Sequence, residues 1–306
     1  MKFIHPRKYY RLIKETTKNF FLYNLLPDKW YLSWKFKKVF GYPINWKNPI
    51  TFNEKINWLK IYDRKDNYHL LVDKLNVKQI IASLLGSEYV IPTILGPFSS
   101  VSEIDKEKLP QKFVLKCNHD AASVIVCKDK NTFNWAMTEK KLKSCLKRNY
   151  YNFENKQWAY KGIKPYIFVE QYMEDKETGD LSDYKFYCFN GVVKCIFVGR
   201  ERFTNKNGVQ VNLYDRNWNR MPFEHFHQNF EEEIERPDNI DDMINIVEKL
   251  ARYVDAPFIR IDMYNINKMI FFGEFTFYPG GGFESFNPNR WDEILGSWID
   301  LSKVSK

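Results

Sequence analysis

FIRIDMYNINKMIFFGEFTFYPGGG, residues 258–282, is the stretch on which the fold turns. Apolar and aromatic residues flank a polar centre, Asn265, Asn267 and Lys268, so the segment reads as two strands joined by a turn. Side chains two positions apart share a strand face, which groups Arg260 with Asp262 on the first strand and Glu274 with Thr276 on the second. Folded as a hairpin, the strands bring Asp262 and Glu274 together, and their like charges repel unless a cation bridges them. Hard oxygen donors suit magnesium, and the stretch therefore reads as a Mg–nucleotide site. A buried structural hairpin whose charges pair among themselves fits the same residues, although unpartnered charges in strands this apolar are costly.

Outward from the hairpin, a stripe of Ile240, Met243, Ile244, Val247, Leu250, Ala251 and Val254 predicts an amphipathic helix over 241–254, capped by Asp238 or Asp241 and ended by Pro257. Asn190–Gly191 between apolar runs 184–189 and 192–198 is a two-residue hairpin turn signal. A strand is expected over 166–172, a helix over 132–151, and a hairpin from FVLKC (113–117) and VIVC (124–127) around the polar tip NHDAAS. Further upstream, one helix is expected over 71–85, stopped by Gly86, and another within 49–62, starting at Thr51 or Asn53. Downstream, a short helix is expected near 291–295, and no internal repeat is visible.

The 306 residues suffice for one large domain or a few subdomains, and 44% hydrophobic with 17% aromatic residues indicates a globular chain. No apolar run approaches the ~18 residues that span a bilayer, and MKFIHPRKYYRL has no signal-peptide pattern, so a cytoplasmic protein is expected. Cys117, Cys127, Cys145, Cys188 and Cys195 show neither C-x-x-C nor zinc spacing and read as reduced structural thiols. Of the net charge of +9, residues 1–40 supply ten Lys/Arg less Glu15 and Asp28, or +8. That segment interleaves cations with Tyr9, Tyr10, Phe20, Phe21, Trp30, Trp34 and Phe36. It can lie on an anionic membrane surface, or it can dock its aromatics on the core and turn its lysines to water. No nucleic-acid-binding module accompanies the charge, and nucleic acid is not expected as a partner. His225 and His227 in EHFHQ read as surface residues.

Seven separated motifs carry a resemblance. FNEKINWLK (52–60), DK (73–74), LPQKFVLKCNHDAASVIV (109–126), FVEQYM (168–173), DYKFYCFNG (183–191), RID (260–262) and GEFTFYPGGG (273–282) follow one another as in the ATP-grasp superfamily. The chain resembles most its TupA-like branch in polysaccharide biosynthesis, over roughly residues 49–300. The resemblance implies an α+β ATP-grasp fold, in which two α/β subdomains grip ATP between antiparallel sheets. It would be divided into a basic helical N-terminal region (1–65), a small subdomain with the phosphate flap (66–168) and a large subdomain with the Mg and catalytic hairpin (169–306).

It also implies residue roles, with ATP and Mg²⁺ as cofactors. Lys116, assisted by Lys74, contacts the nucleotide phosphates. The loop Asn118–Ser123 is the flap, yet it holds no glycine, so either Ser123 and His119 compensate with side chains or the nucleotide is gripped more loosely. Glu170 is the hinge acid, and Gln171, Tyr172 and Met173 line the adenine slot. Asp183 and Lys185 reach ribose or phosphates, or form a surface ion pair. Asp262 and Glu274 are the magnesium carboxylates, with Thr276 at a position often held by asparagine. Arg260 steadies the anionic intermediate. Gly280, Gly281 and Gly282 let backbone N–H groups approach an acyl phosphate, or merely form a bend. Arg200 and Arg202 bind an anionic acceptor, or form a solvated cluster.

The implied activity is ATP-dependent carboxylate–amine ligation through an acyl phosphate. The partners would be a carboxylate-bearing sugar or glycan precursor, such as a uronic acid of a capsule or teichuronic-type polysaccharide, and an amine or amino acid. Alternatives are a kinase-like phosphotransferase on a glycan precursor and a non-catalytic partner in a glycan-assembly complex, held at the membrane through residues 1–40.

Overall fold

The computed structural model describes residues 26–121, 123–176, 182–200, 210–225 and 229–304. Four helices come first: α1 (Asp28–Phe40), α2 (Phe52–Tyr62), α3 (Tyr68–Val72) and α4 (Asn76–Leu84). Strands β1 (Thr93–Phe98), β2 (Phe113–Cys117) and β3 (Ile125–Cys127) follow, then helices α5 (Trp135–Leu146) and α6 (Tyr150–Phe153) and strand β4 (Ile167–Gln171). The second half holds β5 (Ser182–Phe189), β6 (Val192–Arg200), β7 (Gln210–Asp215), β8 (Glu224–His225), α7 (Ile240–Val254), β9 (Phe258–Ile266), β10 (Met269–Thr276), β11 (Phe286–Asn287) and α8 (Arg290–Ser297).

Local chemistry explains most boundaries. Thr51 caps α2 in a reciprocal capping box with Glu54, which settles the choice between Thr51 and Asn53. The expected single helix over 71–85 is two, because the Asp73 carboxylate accepts the backbone N–H of Leu75 at 2.9 Å and restarts the chain as α4. The expected helix over 132–151 also divides, into α5 and α6, where Asn149 caps the second piece through the N–H of Asn152. Asn239, rather than Asp238 or Asp241, occupies the N-cap of α7, and Asp241 and Asp242 sit in its first turn facing the positive end of the helix dipole.

Two antiparallel sheets result. The smaller has the order β1-β4-β2-β3 and the larger β10-β9-β5-β6-β7. Both two-residue turns of the larger sheet use left-handed backbone: Asn190 and Gly191 at φ 51° and 85°, Asn267 and Lys268 at φ 50° and 65°. This geometry matches strand twist, and asparagine tolerates it. Asn265, expected in the turn, lies inside β9 opposite Ile270.

Helix α7 lies across β5, β6 and β9 and buries its whole predicted stripe there, forming the main core with Phe186, Ile196 and Ile261. A second core joins Phe113, Leu115, Ile167 and Val169 of the smaller sheet to Leu142 and Cys145 of α5. The other face of the larger sheet, opposite α7, carries the polar side chains, because strand neighbours alternate. All five cysteines are free and buried, as thiols filling core positions.

Candidate active site

A bulge places the two carboxylates. Paired regularly from the Asn267–Lys268 turn, the hairpin would set Gly273 opposite Asp262 and turn Glu274 to the other face. The register instead shifts between Phe272 and Glu274, so that Glu274 faces Asp262 and Thr276 faces Arg260. One residue of slip reverses every later side chain, and this slip assembles the cluster. Gly273 permits it, since a Cβ there would come 2.9 Å from the carbonyl oxygen of Asp262 and 3.2 Å from the Tyr264 ring. The glycine inside an otherwise apolar strand was the available signal for a bulge.

The cation that bridges the carboxylates is Arg260. Its Nε and Nη2 donate to both oxygens of Asp262 at 2.7 and 2.8 Å, and Nη2 also donates to Glu274 Oε1 at 3.1 Å. Lys185 on neighbouring β5 pairs with Asp183 and lies 3.5 Å from Asp262, while Lys74 lies 3.5 Å from Glu274 Oε2. The Thr276 hydroxyl donates to Glu274 Oε1 at 3.1 Å. Asp262 is the deeper acid, 6% exposed against 24% for Glu274. Burial pushes the Asp262 carboxyl above its ordinary value, with Arg260 pulling it back. Burial acts on Glu274 too, but Lys74 and Arg260 outweigh it and hold that carboxyl below its ordinary value.

Magnesium is usually held by one or two carboxylates together with substrate phosphates. Asp262 and Glu274 on adjacent strands, with the Thr276 hydroxyl beside them, are a donor set of that kind. Among the described residues no three His, Cys, Asp or Glu side chains form a complete metal centre. Two carboxylates and a hydroxyl fit an ion that takes its remaining ligands from phosphate oxygens and water.

The smaller sheet supplies the facing wall. Glu170 on β4 is buried and pairs with Lys116 on β2 and, at 2.6 Å, with Lys78 on α4. Burial acts to raise Glu170, and Lys116 and Lys78 overcome it to hold the carboxyl low, while burial lowers Lys78. Lys78 was not singled out from the sequence; its place four residues after Lys74, one helical turn on, was the signal. These residues, with Lys74, Val77, Ile91, Tyr264, Phe272 and Gly273, line a narrow cleft between the sheets. At the end of β4, Gln171 is exposed, Lys112 lies over the Tyr172 ring at 5.3 Å, and Met173 packs with Ile91, Ile266 and Phe271.

The loop after β2 is closed by its own polar groups. The Ser123 hydroxyl accepts the N–H of Cys117 at 2.8 Å and donates to Asp120, and His119 turns inward to the carbonyl of Cys145 at 3.2 Å. Lys74 donates to the Asp120 carbonyl, joining this loop to Glu274.

Gly280, Gly281 and Gly282 all adopt left-handed backbone, at φ 56°, 62° and 72°. Helix α2 clamps this turn with a buried polar stripe one and two helical turns long. Asn53 exchanges two hydrogen bonds with the backbone of Glu284, at 2.7 and 2.9 Å, and Asn57 donates to the Gly282 carbonyl at 2.7 Å. Lys60, wholly buried, donates to the Gly281 carbonyl, to the Asn155 carbonyl at 3.0 Å and to Asn57 Oδ1 at 2.9 Å, using all three ammonium protons. The clamp fixes Glu284, whose Oε1 lies 2.8 Å from His225 Nε2 and accepts the Tyr187 hydroxyl at 3.2 Å. His225 is thus a buried partner of Glu284 and not the expected surface residue. Tyr187 pairs across the strands with Arg260, which puts this cluster one row along the sheet from the carboxylates.

Of the predicted residues, Arg260, Asp262, Glu274, Thr276, Lys74, Asp183 and Lys185 converge, and Lys116 with Glu170 lines the cleft that Lys74 also lines. The Arg200 side chain, Arg202 and His227 lie outside the described residues.

No curated protein matches the sequence significantly. Similar solved structures include D-alanine–D-alanine ligase from Bacillus anthracis complexed with ATP, at TM-score 0.41 and 14% identity, covering 69% of this chain and 56% of that one. A biotin carboxylase–β-γ-ATP complex from Campylobacter jejuni has TM-score 0.46 and 11% identity, covering 85% of this chain and 53% of that one. The ATP-grasp ligase PsnB, with a phosphomimetic variant of its minimal precursor, Mg and ADP, has TM-score 0.42 and 8% identity, covering 83% and 66%. The chain therefore spans 53–66% of the length of these neighbours. The family described as TupA-like ATPgrasp matches residues 54–300, from the clamping helix through the carboxylate hairpin to α8, and the chain belongs to that family and has the ATP-grasp fold.

Proposed function

We propose that this chain is an ATP-dependent carboxylate–amine ligase that works through an acyl phosphate, with a carboxylate-bearing sugar or glycan precursor such as a uronic acid as one substrate and an amine or amino acid as the other. The observation that carries the reading is the convergence of Asp262, Glu274, Arg260 and Lys185 on one sheet face with Lys74, which pairs with Glu274 and also lines the cleft beside Lys116 and Lys78. The glycan assignment rests on the TupA-like branch of the family alone.

Each group has a task. Lys116, Lys74 and Lys78 are point charges suited to triphosphate oxygens, and Gln171 to Met173 would line the adenine slot. Bound at Asp262, Glu274 and Thr276, magnesium would neutralise charge on the transferring phosphoryl group. The substrate carboxylate attacks the γ-phosphorus, ADP leaves, and the acyl phosphate forms. The amine then attacks the acyl carbon. Arg260 donates to the oxyanion that develops, and phosphate departs as the amine loses a proton. The N–H groups of Gly281 and Gly282 close their own turn on the carbonyls of Tyr278 and Pro279 at 2.9 Å, so the glycines at 280–282 serve as the bend rather than as an anion nest, and Arg200 and Arg202 are candidates for the acceptor's anionic group. The division into regions 1–65, 66–168 and 169–306 is part of the same proposal.

Calorimetry with ATP and Mg²⁺ tests the nucleotide site: the parent binds, and Asp262→Ala and Glu274→Ala each weaken binding at least about tenfold. Product analysis with uronic acids and amines tests the reaction. An amide with ADP and phosphate supports it, a stable phosphoester identifies a phosphotransferase instead, and absence of ATP binding leaves a non-catalytic partner.

A further inference from the structure

We propose that the outward face of α1, formed by Trp30, Trp34, Lys37 and Lys38, docks on an anionic lipid bilayer, independently of any activity of the nucleotide site. The helix divides its aromatics. Tyr31, Leu32 and Phe36 are buried against the body of the protein, whereas Trp30 is 72% and Trp34 38% exposed. The sequence alone had allowed all of these rings to dock on the core.

Trp30 and Trp34 are four residues apart and so lie one above the other on the helix, and Lys37 and Lys38 follow at three and four residues beyond Trp34. Both lysines are exposed, and the Lys38 ammonium lies 5.3 Å above the Trp34 ring. Indoles and lysines on one exposed helix face are the side chains that settle at a membrane interface, where the ring meets the headgroup boundary and the cation meets anionic lipid. Isolated exposed apolar side chains need no explanation. Here, however, the two exposed indoles share one helix face with two exposed lysines.

Charge selects the occupant. The acid at the start of this helix, Asp28, is turned away and engaged by Arg64 at 2.6 Å and by Tyr151. The 25 residues preceding the described chain carry six Lys/Arg against Glu15 alone, so their charge has the same sign. A neutral or acidic protein surface would satisfy the indoles or the lysines separately, while an anionic bilayer satisfies both at one plane. Among the described residues no helix is long and apolar enough to cross a membrane, so the contact is with the surface.

Sedimentation of the full chain with phosphatidylcholine vesicles, with and without phosphatidylserine, tests this. Binding is expected only with phosphatidylserine and should weaken with salt. It should fall about tenfold or more in both the Trp30→Ser/Trp34→Ser and the Lys37→Glu/Lys38→Glu variants. Met137→Ser, which changes an exposed side chain elsewhere, serves as the control and binds as the parent does. Near-ultraviolet circular dichroism establishes that each variant is folded. Failure of the parent to sediment, or equal sedimentation by the tryptophan variant, overturns the proposal. A dimer that the tryptophan substitutions dissolve would overturn it as well, by assigning the face to a second copy.

Discussion

Glu170 shows how one buried residue ties the site to the solution pH. Lys116 and Lys78 hold its carboxyl below the ordinary value of 4.5, so the folded chain keeps it ionised to lower pH than the unfolded chain does. Its contribution is therefore complete above about pH 4.5 and is lost as pH falls below that value. Glu274 acts in the same direction, and Asp262, which burial raises, opposes them. Glu170→Gln removes the titrating group and leaves two partly buried ammonium groups without their carboxylate. At pH 7 the variant should be less stable by about 2–4 kcal/mol. Urea midpoints measured from about pH 6 to pH 3 should fall more steeply for the parent than for the variant. Parallel curves would mean that Lys116 and Lys78 do not hold the charge.

The hairpin β9–β10 and the clamp of α2 work as elements, each setting several side chains at once. Gly273→Ala would bring a methyl against the Asp262 carbonyl, so the hairpin must either lose the bulge, which turns Glu274 away, or strain it. Stability should drop by about 1–3 kcal/mol, and ATP–Mg²⁺ binding should fall further than that loss accounts for, since the carboxylates no longer face each other. Normal binding by a folded Gly273→Ala protein would show that the bulge does not set the site. In the clamp, Lys60→Met keeps much of the side-chain volume but leaves the carbonyls of Gly281 and Asn155 and the amide oxygen of Asn57 without a donor. A loss of about 2–4 kcal/mol is expected, with faster amide exchange through residues 281–284 than elsewhere. Unchanged exchange there would separate the glycine turn from the helix.

These two elements also mark what the sequence could reveal. Strand pairing was legible where a tight turn fixed it, at Asn190–Gly191 and Asn267–Lys268, and α7 was legible because its stripe faces a sheet. The bulge was not, because periodicity alone cannot say on which side of Gly273 the count slips. The clamp of Asn53, Asn57 and Lys60 was not legible either, since their partners are backbone carbonyls of a turn more than 220 residues away. The edge strand β1, interrupted by register shifts around Gly96–Pro97, and the two-residue pair β8–β11 carry too little pattern to be seen in advance. His225 was misread for the same reason, because its burial is decided by Glu284, far along the chain.

At the scale of the molecule, two separate hydrophobic cores flank a cleft lined by Lys74, Lys78, Lys116 and Glu170 together with Val77, Ile91 and Phe272. Lys116 and Glu170 belong to the side of the smaller sheet and Arg260, Asp262 and Glu274 to the larger, while Lys78 comes from α4, whose Val77 and Ile81 pack in the larger core, and Lys74 reaches from the α3–α4 break to Glu274. A ligand held by both walls couples the cores, because it binds only when both are folded. For one site the added stability is RT ln(1 + [L]/Kd), about 2.7 kcal/mol at a hundredfold excess over Kd. Thermal unfolding followed by calorimetry should therefore shift upward with ATP and Mg²⁺, and the transition should sharpen as the smaller core stops melting independently. The Lys116→Ala variant removes a cation from the smaller sheet only. It should keep the transition of the larger core close to that of the ligand-free parent while losing most of the nucleotide-dependent shift. A Lys116→Ala protein that still shifts as the parent does would place nucleotide binding on the larger sheet alone, and the cleft between the two sheets would then not be the site.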